Sequence, residues 1–388
     1  MLIDNSKCCG CGYCESICPK HAIKMTKDKK GFFYPLVNNS LCINCRLCNS
    51  NCAFLNKYES PNEPLSYLSL KNKDRKILLN SSSGGVFHSV ASNFIKNGGV
   101  VYGAVFDCLT KTIKHVKATN VSELGPMMGS KYVQSNTNGV LLEIKNHLIS
   151  GKKVLFVGTP CQNAQLFFST RGISENLFLV DLMCHGVPSP LIFEEHIKMW
   201  EAKKKSRIID YKFRSKKYGY EYNHTAFFEN GKKDSSIELK RILKLYEYTM
   251  RDSCYHCPYT SKNRFGDITI GDLWEAYRLI GDFDHRGTSV VLINSEKGNK
   301  MLEDVSNDFI IHALSPDNIK QDCLSKPVEW KNANQRFWED YSSFGYRFVL
   351  DKYGKSTFKS KVYQSLLRLL YKTRLDGFYL RLRAKLKK

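Results

Sequence analysis

Eight of the fifteen cysteines fall into two runs of identical spacing, Cys8-x2-Cys11-x2-Cys14-x3-Cys18 and Cys42-x2-Cys45-x2-Cys48-x3-Cys52. Nothing else in the chain restricts its fold as strongly, because thiols at these intervals have to converge on shared inorganic centres. Three thiolates two residues apart wrap one cubane iron-sulfur cluster, and the fourth, just beyond, points away and ligates the other cluster of a pair. The expected assignment is crosswise: Cys8, Cys11, Cys14 and Cys52 hold one cluster, and Cys42, Cys45, Cys48 and Cys18 the other. Gly10 and Gly12 suit the tight turns this wrapping needs. Four-cysteine zinc sites also use C-x2-C, but they seldom double the four-cysteine run. The second run continues Cys52-Ala53 where the first continues Cys18-Pro19, a departure that leaves the ligand count untouched. Cys9 is surplus to both sets and reads as a bystander.

An odd cysteine count argues against a disulfide framework. The N-terminus has no apolar leader core, and no charge-free apolar run reaches the roughly 18 residues that spanning a bilayer requires. A cytoplasmic location is expected, extending to the inner face of the membrane. With 388 residues, 42% hydrophobic and 25% charged, the chain is of globular type with room for two or three domains. The net charge of +22 raises the question of nucleic acid. Six Lys and four Arg against Asp376 alone lie between Lys359 and Lys388, however, and no basic-aromatic recognition motif accompanies them, so nucleic acid is not expected as a partner.

Glu59-Ser60-Pro61-Asn62-Glu63-Pro64 is a linker by composition. It separates a two-cluster domain at 1–58 from a domain at 65–300, and a head so placed is expected to be separable. Beyond the linker, buried-strand patterns at 99–106, 154–157, 178–182 and 289–293 alternate with helical patterns at 141–149 and 191–200. The fold expected is α/β with a mostly parallel sheet behind a small ferredoxin-like domain. Two strand-ending turns are chemically loaded, Gly158-Thr159-Pro160-Cys161-Gln162 and Met183-Cys184-His185-Gly186, and Cys254-x2-Cys257 follows later. Loops after parallel strands share one sheet edge, where α/β proteins build sites. Spacing leaves two readings of Cys161, Cys184, Cys254 and Cys257: a third cubane socket, or two core cysteines plus a Cys254, His256 and Cys257 metal site. Ser81 to Gly85, ahead of a helical pattern, matches either an anion-facing helix start or an ordinary cap. Lys131 beside Tyr132 reads as a phosphate or flavin contact, or as a solvated lysine.

Taken in order, these motifs resemble the coenzyme F420 hydrogenase/dehydrogenase beta-subunit family, which also includes 7-hydroxymethyl chlorophyll a reductase. The resemblance rests on the doubled cysteine head, Ser83-Gly84-Gly85, Gly129-Ser130-Lys131-Tyr132, Gly158-Thr159-Pro160-Cys161-Gln162, Cys184-His185-Gly186-Val187-Pro188-Ser189, Phe213-Arg214-Ser215-Lys216, Cys254-x2-Cys257 and Gly271-Asp272-Leu273-Trp274. It fades after about residue 300. It implies FAD and a third 4Fe-4S cluster on Cys161, Cys184, Cys254 and Cys257. It assigns Ser83, Gly84, Gly85 and Lys131 to the flavin, with Tyr132, Gly158 and Thr159 completing the expected cofactor set.

Clusters pass single electrons and a flavin delivers pairs, so the expected function is an oxidoreductase. Electrons would run from a ferredoxin or redox partner subunit through the clusters to FAD and an organic small-molecule substrate. The alternative is a non-catalytic electron-transfer subunit of a larger complex. Deazaflavin, sugar or lipid-linked substrates, and a homo-oligomer, are all compatible with the sequence. His185 reads as a proton donor or as a histidine that shapes its loop. Residues 301–388 read as a helical extension with a basic tail. Val362, Leu366, Leu370, Phe378, Leu382 and Leu386 recur there at helical spacing, either as a peripheral membrane contact or as a stripe packed on the protein's own core.

Overall fold

The computed structural model describes residues 4–56, 62–216, 223–284, 286–355 and 357–386. Residues 59–61 of the expected linker, together with Lys387 and Lys388, lie outside the described residues.

The main sheet has nine strands in the order Phe309–Ala313, Ser66–Asn72, Ser289–Ile293, Ile268–Asp272, Leu177–Leu182, Val154–Gly158, Val100–Asp107, Thr112–Ala118 and Ser135–Asn136. The four strands from Ile268–Asp272 to Val100–Asp107 are mutually parallel and form its centre. Ser289–Ile293 and Thr112–Ala118 extend it as antiparallel neighbours. All five residues of Val154–Gly158 are buried. Leu155 and Val157 face a core shared with Val86, Val90 and Ala91 of the helix Val86–Lys96. Val154 and Phe156 face the opposite core, with Leu141, Ile144 and Leu148. A sheet covered on both faces needs such continuous apolar strands, each side chain contributing roughly 1.5–3 kcal/mol on burial.

Between Leu182 and Ile268 the chain leaves the sheet to build a second unit. The helix Pro190–Lys204 starts at Ser189, whose Oγ accepts from Ile192 N (3.2 Å), with Pro190 at the first helical position. It packs on a three-stranded antiparallel sheet of Ile208–Lys212, Thr225–Phe228 and Lys233–Asp234. The helix Asn332–Tyr353 closes this core with Phe337, Tyr346, Val349 and Leu350.

The cysteine-rich head has one hairpin, Ile23–Lys27 against Phe33–Val37, and two one-turn helices, Tyr13–Ser16 and Leu47–Ser50. The two cysteine loops share a backbone shape. Gly10 (φ 70°) and Gly12 (φ 75°) are left-handed in the first, and Asn44 (φ 54°) and Arg46 (φ 59°) repeat this in the second.

Contrary to the expectation of a separable head, this unit is seated in the larger one. Tyr13 is 1% exposed, in a core with Val100, Tyr102, Leu141 and Phe156. Backbone carbonyls of the head are taken by side chains of the body: Cys11 O by Thr137 Oγ1 (3.0 Å), Cys9 O by Gln134 Nε2 (2.7 Å) and Asn51 O by Gln165 Nε2 (2.7 Å). The boundary expected at residue 300 is also displaced. Phe309–Ala313 is a strand paired with Ser66–Asn72, so the helical extension begins only at Asn332. A short edge strand carries too little apolar alternation to be read without its partner.

Candidate metal centres and cofactor loops

The head loops bring their thiols near one another. Cys8, Cys9, Cys11, Cys14, Cys48 and Cys52 line one cavity together with Phe54 and Leu55. Burial pushes the Cys14 and Cys52 thiols up, and each is raised further by Cys11 and Cys8. Cys48 is raised by burial and, more weakly, by Cys45 and Cys18. Cys42 lies in the second run's loop, its Sγ 3.7 Å from Asn44 Oδ1. Thiols crowded in an apolar cavity are stable as neutral groups, or as thiolates around a centre that supplies positive charge, which is the donor chemistry of an iron-sulfur cluster.

A third set forms at the carboxyl edge of the parallel strands. Cys161 stands in the first turn of the helix Pro160–Ser169, directly after the strand Val154–Gly158. Cys184 follows the adjacent strand Leu177–Leu182. Burial raises Cys184, and Cys254, Cys161 and Cys257 all raise it further. Cys254 and Cys257 are each pushed up to about 12, by burial first, with Cys161 adding to both. Cys161, Cys184, Cys254 and Cys257 thus lie close enough to raise or lower one another's pKa. His256 is exposed, whereas Cys254 and Cys257 are half-buried. Among the described residues no three Cys, His, Asp or Glu side chains close around a single metal ion.

Cys9 stands between the two inner sets. It is 8% exposed, and the neighbouring Cys11 and Cys161 thiols, together with burial, raise its pKa well above the usual range. The neighbouring Cys9 draws Cys161 down to about 7. Cys9 is therefore a neighbour of one sulfur of the head and one of the body. Arg251 is the cation at this junction, 1% exposed. Its guanidinium donates to Cys8 O (2.7 Å), Phe33 O (2.9 Å) and Gln134 Oε1 (2.9 Å), lies 4.2 Å from the Tyr34 ring centre, and lowers Cys8, Cys11, Cys161 and Cys254 alike. Sequence spacing gives no sign of either role, because both partners lie more than a hundred residues away.

The expected cofactor residues fall into neighbouring loops. Gly84 is buried so tightly that a Cβ would stand 2.0 Å from Leu70 O, and its N donates to Ser289 Oγ (2.9 Å). Gly85 (φ 87°) opens the helix Val86–Lys96. Ser83 Oγ donates to Thr288 O (2.8 Å), and Ser83 O accepts from Lys216 Nζ (2.6 Å). The second loop adjoins the first, with Ser130 N donating to Ser82 Oγ (2.6 Å). Lys131 is no solvated lysine: Nζ donates to Pro126 O (2.8 Å), Met127 O (2.9 Å) and Met128 O (3.1 Å), and burial draws it down to about 7. Tyr132 meets Phe213 edge-on at 6.1 Å. Gly158 and Thr159 sit with the thiols instead, Thr159 Oγ1 lying 3.1 Å from Cys161 Sγ.

His185 is exposed, stacked on Trp274 with ring centres 5.8 Å apart. Its Nε2 lies 3.0 Å from Gln321 Oε1, and Gln321 Nε2 donates to Asp272 O (2.8 Å). That carbonyl sets the amide orientation, so His185 carries its proton on Nε2 and presents a lone pair at Nδ1. Asp272 is itself paired with Arg214. Gln321 lies past the point where the family motifs fade, and only tertiary contact reveals it.

A doubled four-cysteine head seated on an α/β body defines an iron-sulfur protein of the electron-transferring class. Residues 7–55 match the 4Fe-4S dicluster domain, and residues 151–318 match the C-terminal part of the coenzyme F420 hydrogenase/dehydrogenase beta chain. Residues 151–318 thus carry the C-terminal domain of the coenzyme F420 hydrogenase/dehydrogenase beta subunit, behind a 4Fe-4S dicluster domain. It is 44% identical over 34 residues to an uncharacterised ferredoxin of Methanocaldococcus jannaschii, a match spanning 9% of this chain and 44% of that protein. In three dimensions it is similar to a chain of the F420-reducing NiFe hydrogenase complex of Methanosarcina barkeri, with TM-score 0.48 and 18% identity over 75% of this chain and 97% of that one. Among the described residues no helix is long and apolar enough to cross a membrane.

Proposed function

We propose that the protein is an iron-sulfur flavoprotein oxidoreductase in which three thiol sets form a line from a docking surface to a flavin. The observation that carries this reading is the seating of the cysteine head on the body, where Cys9 O and Cys11 O accept from Gln134 Nε2 (2.7 Å) and Thr137 Oγ1 (3.0 Å) and Arg251 donates to Cys8 O (2.7 Å). In this reading Cys42, Cys45, Cys48 and Cys18 hold the outer cluster, Cys8, Cys11, Cys14 and Cys52 the inner one, and Cys161, Cys184, Cys254 and Cys257 the third. When bound, the clusters supply one-electron transfer and FAD couples single electrons to two-electron chemistry. Arg251 offsets the summed thiolate charge, and Phe54, Leu55 and Tyr259 keep water from the inner sets. Ser83, Gly84, Gly85, Lys131 and Tyr132 would hold FAD, a reading supported by the contact of their two loops and by the family. Gly158 and Thr159 carry the chain from the sheet to the third set. His185 holds a proton at Nε2 and accepts one at Nδ1, at an exposed position open to an organic substrate.

Electrons enter at the outer set. Cys45 is exposed, and Leu36, Leu41, Ile43, Leu47 and Leu55 around it are between 39% and 62% exposed. An apolar rim about an outer redox centre suits a ferredoxin or partner subunit. That rim also favours a second reading, a non-catalytic electron-transfer subunit of a larger oxidoreductase.

Anaerobic reconstitution of the full chain should yield about 12 iron atoms, four per cubane, and one FAD. Cys161→Ser should lose about four iron atoms and keep the head's eight. Eight iron atoms in the unaltered protein, or zinc in their place, would overturn the three-set reading. Absence of flavin would remove the FAD step. Turnover of an organic acceptor by the isolated chain with an artificial donor selects the reductase over the subunit.

A further inference from the structure

The basic tail is a helical hairpin, Phe358–Lys372 and Asp376–Leu386, turned at Arg374 (φ 60°) and tied by Tyr363 Oη to Tyr379 Oη (3.4 Å). One side of it rests on the body. Leu367 (7% exposed) and Leu380 (5%) are buried there. Arg368 donates to Ser235 O (3.0 Å), Gly377 backs onto Phe283 O, and Arg381 lies 5.4 Å from the Phe283 ring centre. These contacts set the hairpin's orientation.

Its other side carries the apolar stripe. Phe358 is 82% exposed, Val362 51%, Leu366 47% and Leu369 57%, at helical intervals of four, four and three. Phe378 (67%) and Leu382 (48%) continue it on the second helix. The expectation that the stripe packs on the protein's own core is therefore not met. Lys359, Lys361, Lys372, Arg374, Arg383 and Lys385 are the hairpin's other cations, against the single acid Asp376.

We infer that this hairpin is a peripheral membrane contact that lies flat on an anionic lipid surface, the stripe entering the acyl boundary and the cations meeting headgroup phosphates. Charge selects this occupant. Two copies of the chain would oppose faces of net +5 each, counting six cations less one acid, so a self-dimer through this face is repelled. A negatively charged bilayer meets both the stripe and its cationic border, and the two attractions add. Neither helix is long and apolar enough to span, which agrees with lying on the surface. The inference is independent of the cofactor assignments above.

The test is co-sedimentation of the full chain with phosphatidylglycerol-containing vesicles and with pure phosphatidylcholine vesicles at physiological salt. Partitioning should be at least about tenfold stronger to the anionic vesicles and should weaken as salt rises. The variant Phe358→Ser/Leu366→Ser/Phe378→Ser replaces exposed side chains only, so its iron content should stay that of the parent while binding falls about tenfold. A second variant, Lys359→Glu/Lys361→Glu/Arg383→Glu/Lys385→Glu, should abolish the preference for anionic lipid. Equal binding to both vesicle types, no binding to either, or parental binding by the serine variant would overturn the inference. So would a parent chain that is oligomeric and becomes monomeric in the serine variant with vesicle binding unchanged, since that would assign the stripe to a second copy.

Discussion

At the scale of single residues, two side chains that belong to neither cysteine run control the junction. Cys9 is buried beside Cys11 and Cys161, and a thiol that donates to a ligating sulfur stabilises the reduced, more negative state of a cluster. Cys9→Ala should therefore keep the full iron content and lower a cluster potential by roughly 50–100 mV. That range follows from one or two hydrogen bonds of about 1 kcal/mol and about 59 mV per tenfold for one electron. Anaerobic titration followed by EPR reads it, and unchanged potentials with unchanged iron would return Cys9 to the status of a bystander. Arg251 is the complementary case. Arg251→Met leaves Cys8 O, Phe33 O and Gln134 Oε1 without their buried donors, at a cost of about 3 kcal/mol or more. The unfolding midpoint should fall and the head should lose iron first. Gly10 shows how close the packing is: at φ 70°, a Cβ would stand 2.8 Å from Arg251 Nη1 and from Phe33 O.

At the scale of elements, the head behaves as part of the body's core. Tyr13 sits at the start of a one-turn helix that could not persist alone, and its ring completes the packing of Leu141, Ile144 and Phe156. Tyr13→Ala should cost about 3–5 kcal/mol, measured as a lowered denaturation midpoint with loss of inner-set iron. A chain beginning at Leu65 should, for the same reason, be far less stable than the full protein, because the vacated face exposes this cavity and the groups that served the head's carbonyls. A truncated chain as stable as the parent would show that the docking contacts contribute little.

At the scale of the whole molecule, buried histidines in the main sheet and in the unit built between Leu182 and Ile268 impose a pH dependence. His196 Nδ1 meets Tyr346 Oη at 2.7 Å, Tyr211 Oη meets His224 Nδ1 at 2.6 Å, and all four residues are fully or nearly buried. Burial pulls His196 down to about 3 and His115, stacked on Phe156, down to about 4. These groups are neutral in the folded state and take up protons on unfolding. Their contribution is fully present above the unfolded value near 6.5 and is lost as pH falls from there toward 4 and 3. Thermal midpoints should fall steeply as pH drops below 6.5, and His196→Gln should make that fall shallower. Parallel acid curves for the two proteins would assign the loss to the clusters instead.

How much of this was legible in the sequence depends on the range of the information. The eight head thiols and the strands at 154–157 and 178–182 follow from spacings within about ten residues, where the chain's own geometry dictates what can meet. The nearness of Cys161 and Cys184 needed the sheet, because their loops share an edge only when parallel strands lie side by side. Cys9 neighbours Cys161, Arg251 holds Gln134 and Cys8, and Gln321 holds His185, all more than a hundred residues away in the chain, and no local period encodes such contacts. The tail divides the same way. Its amphipathic spacing is written in the residues, but which face turns outward was decided by Leu367, Leu380 and Phe283, since a helix buries whichever side the rest of the molecule offers a surface to.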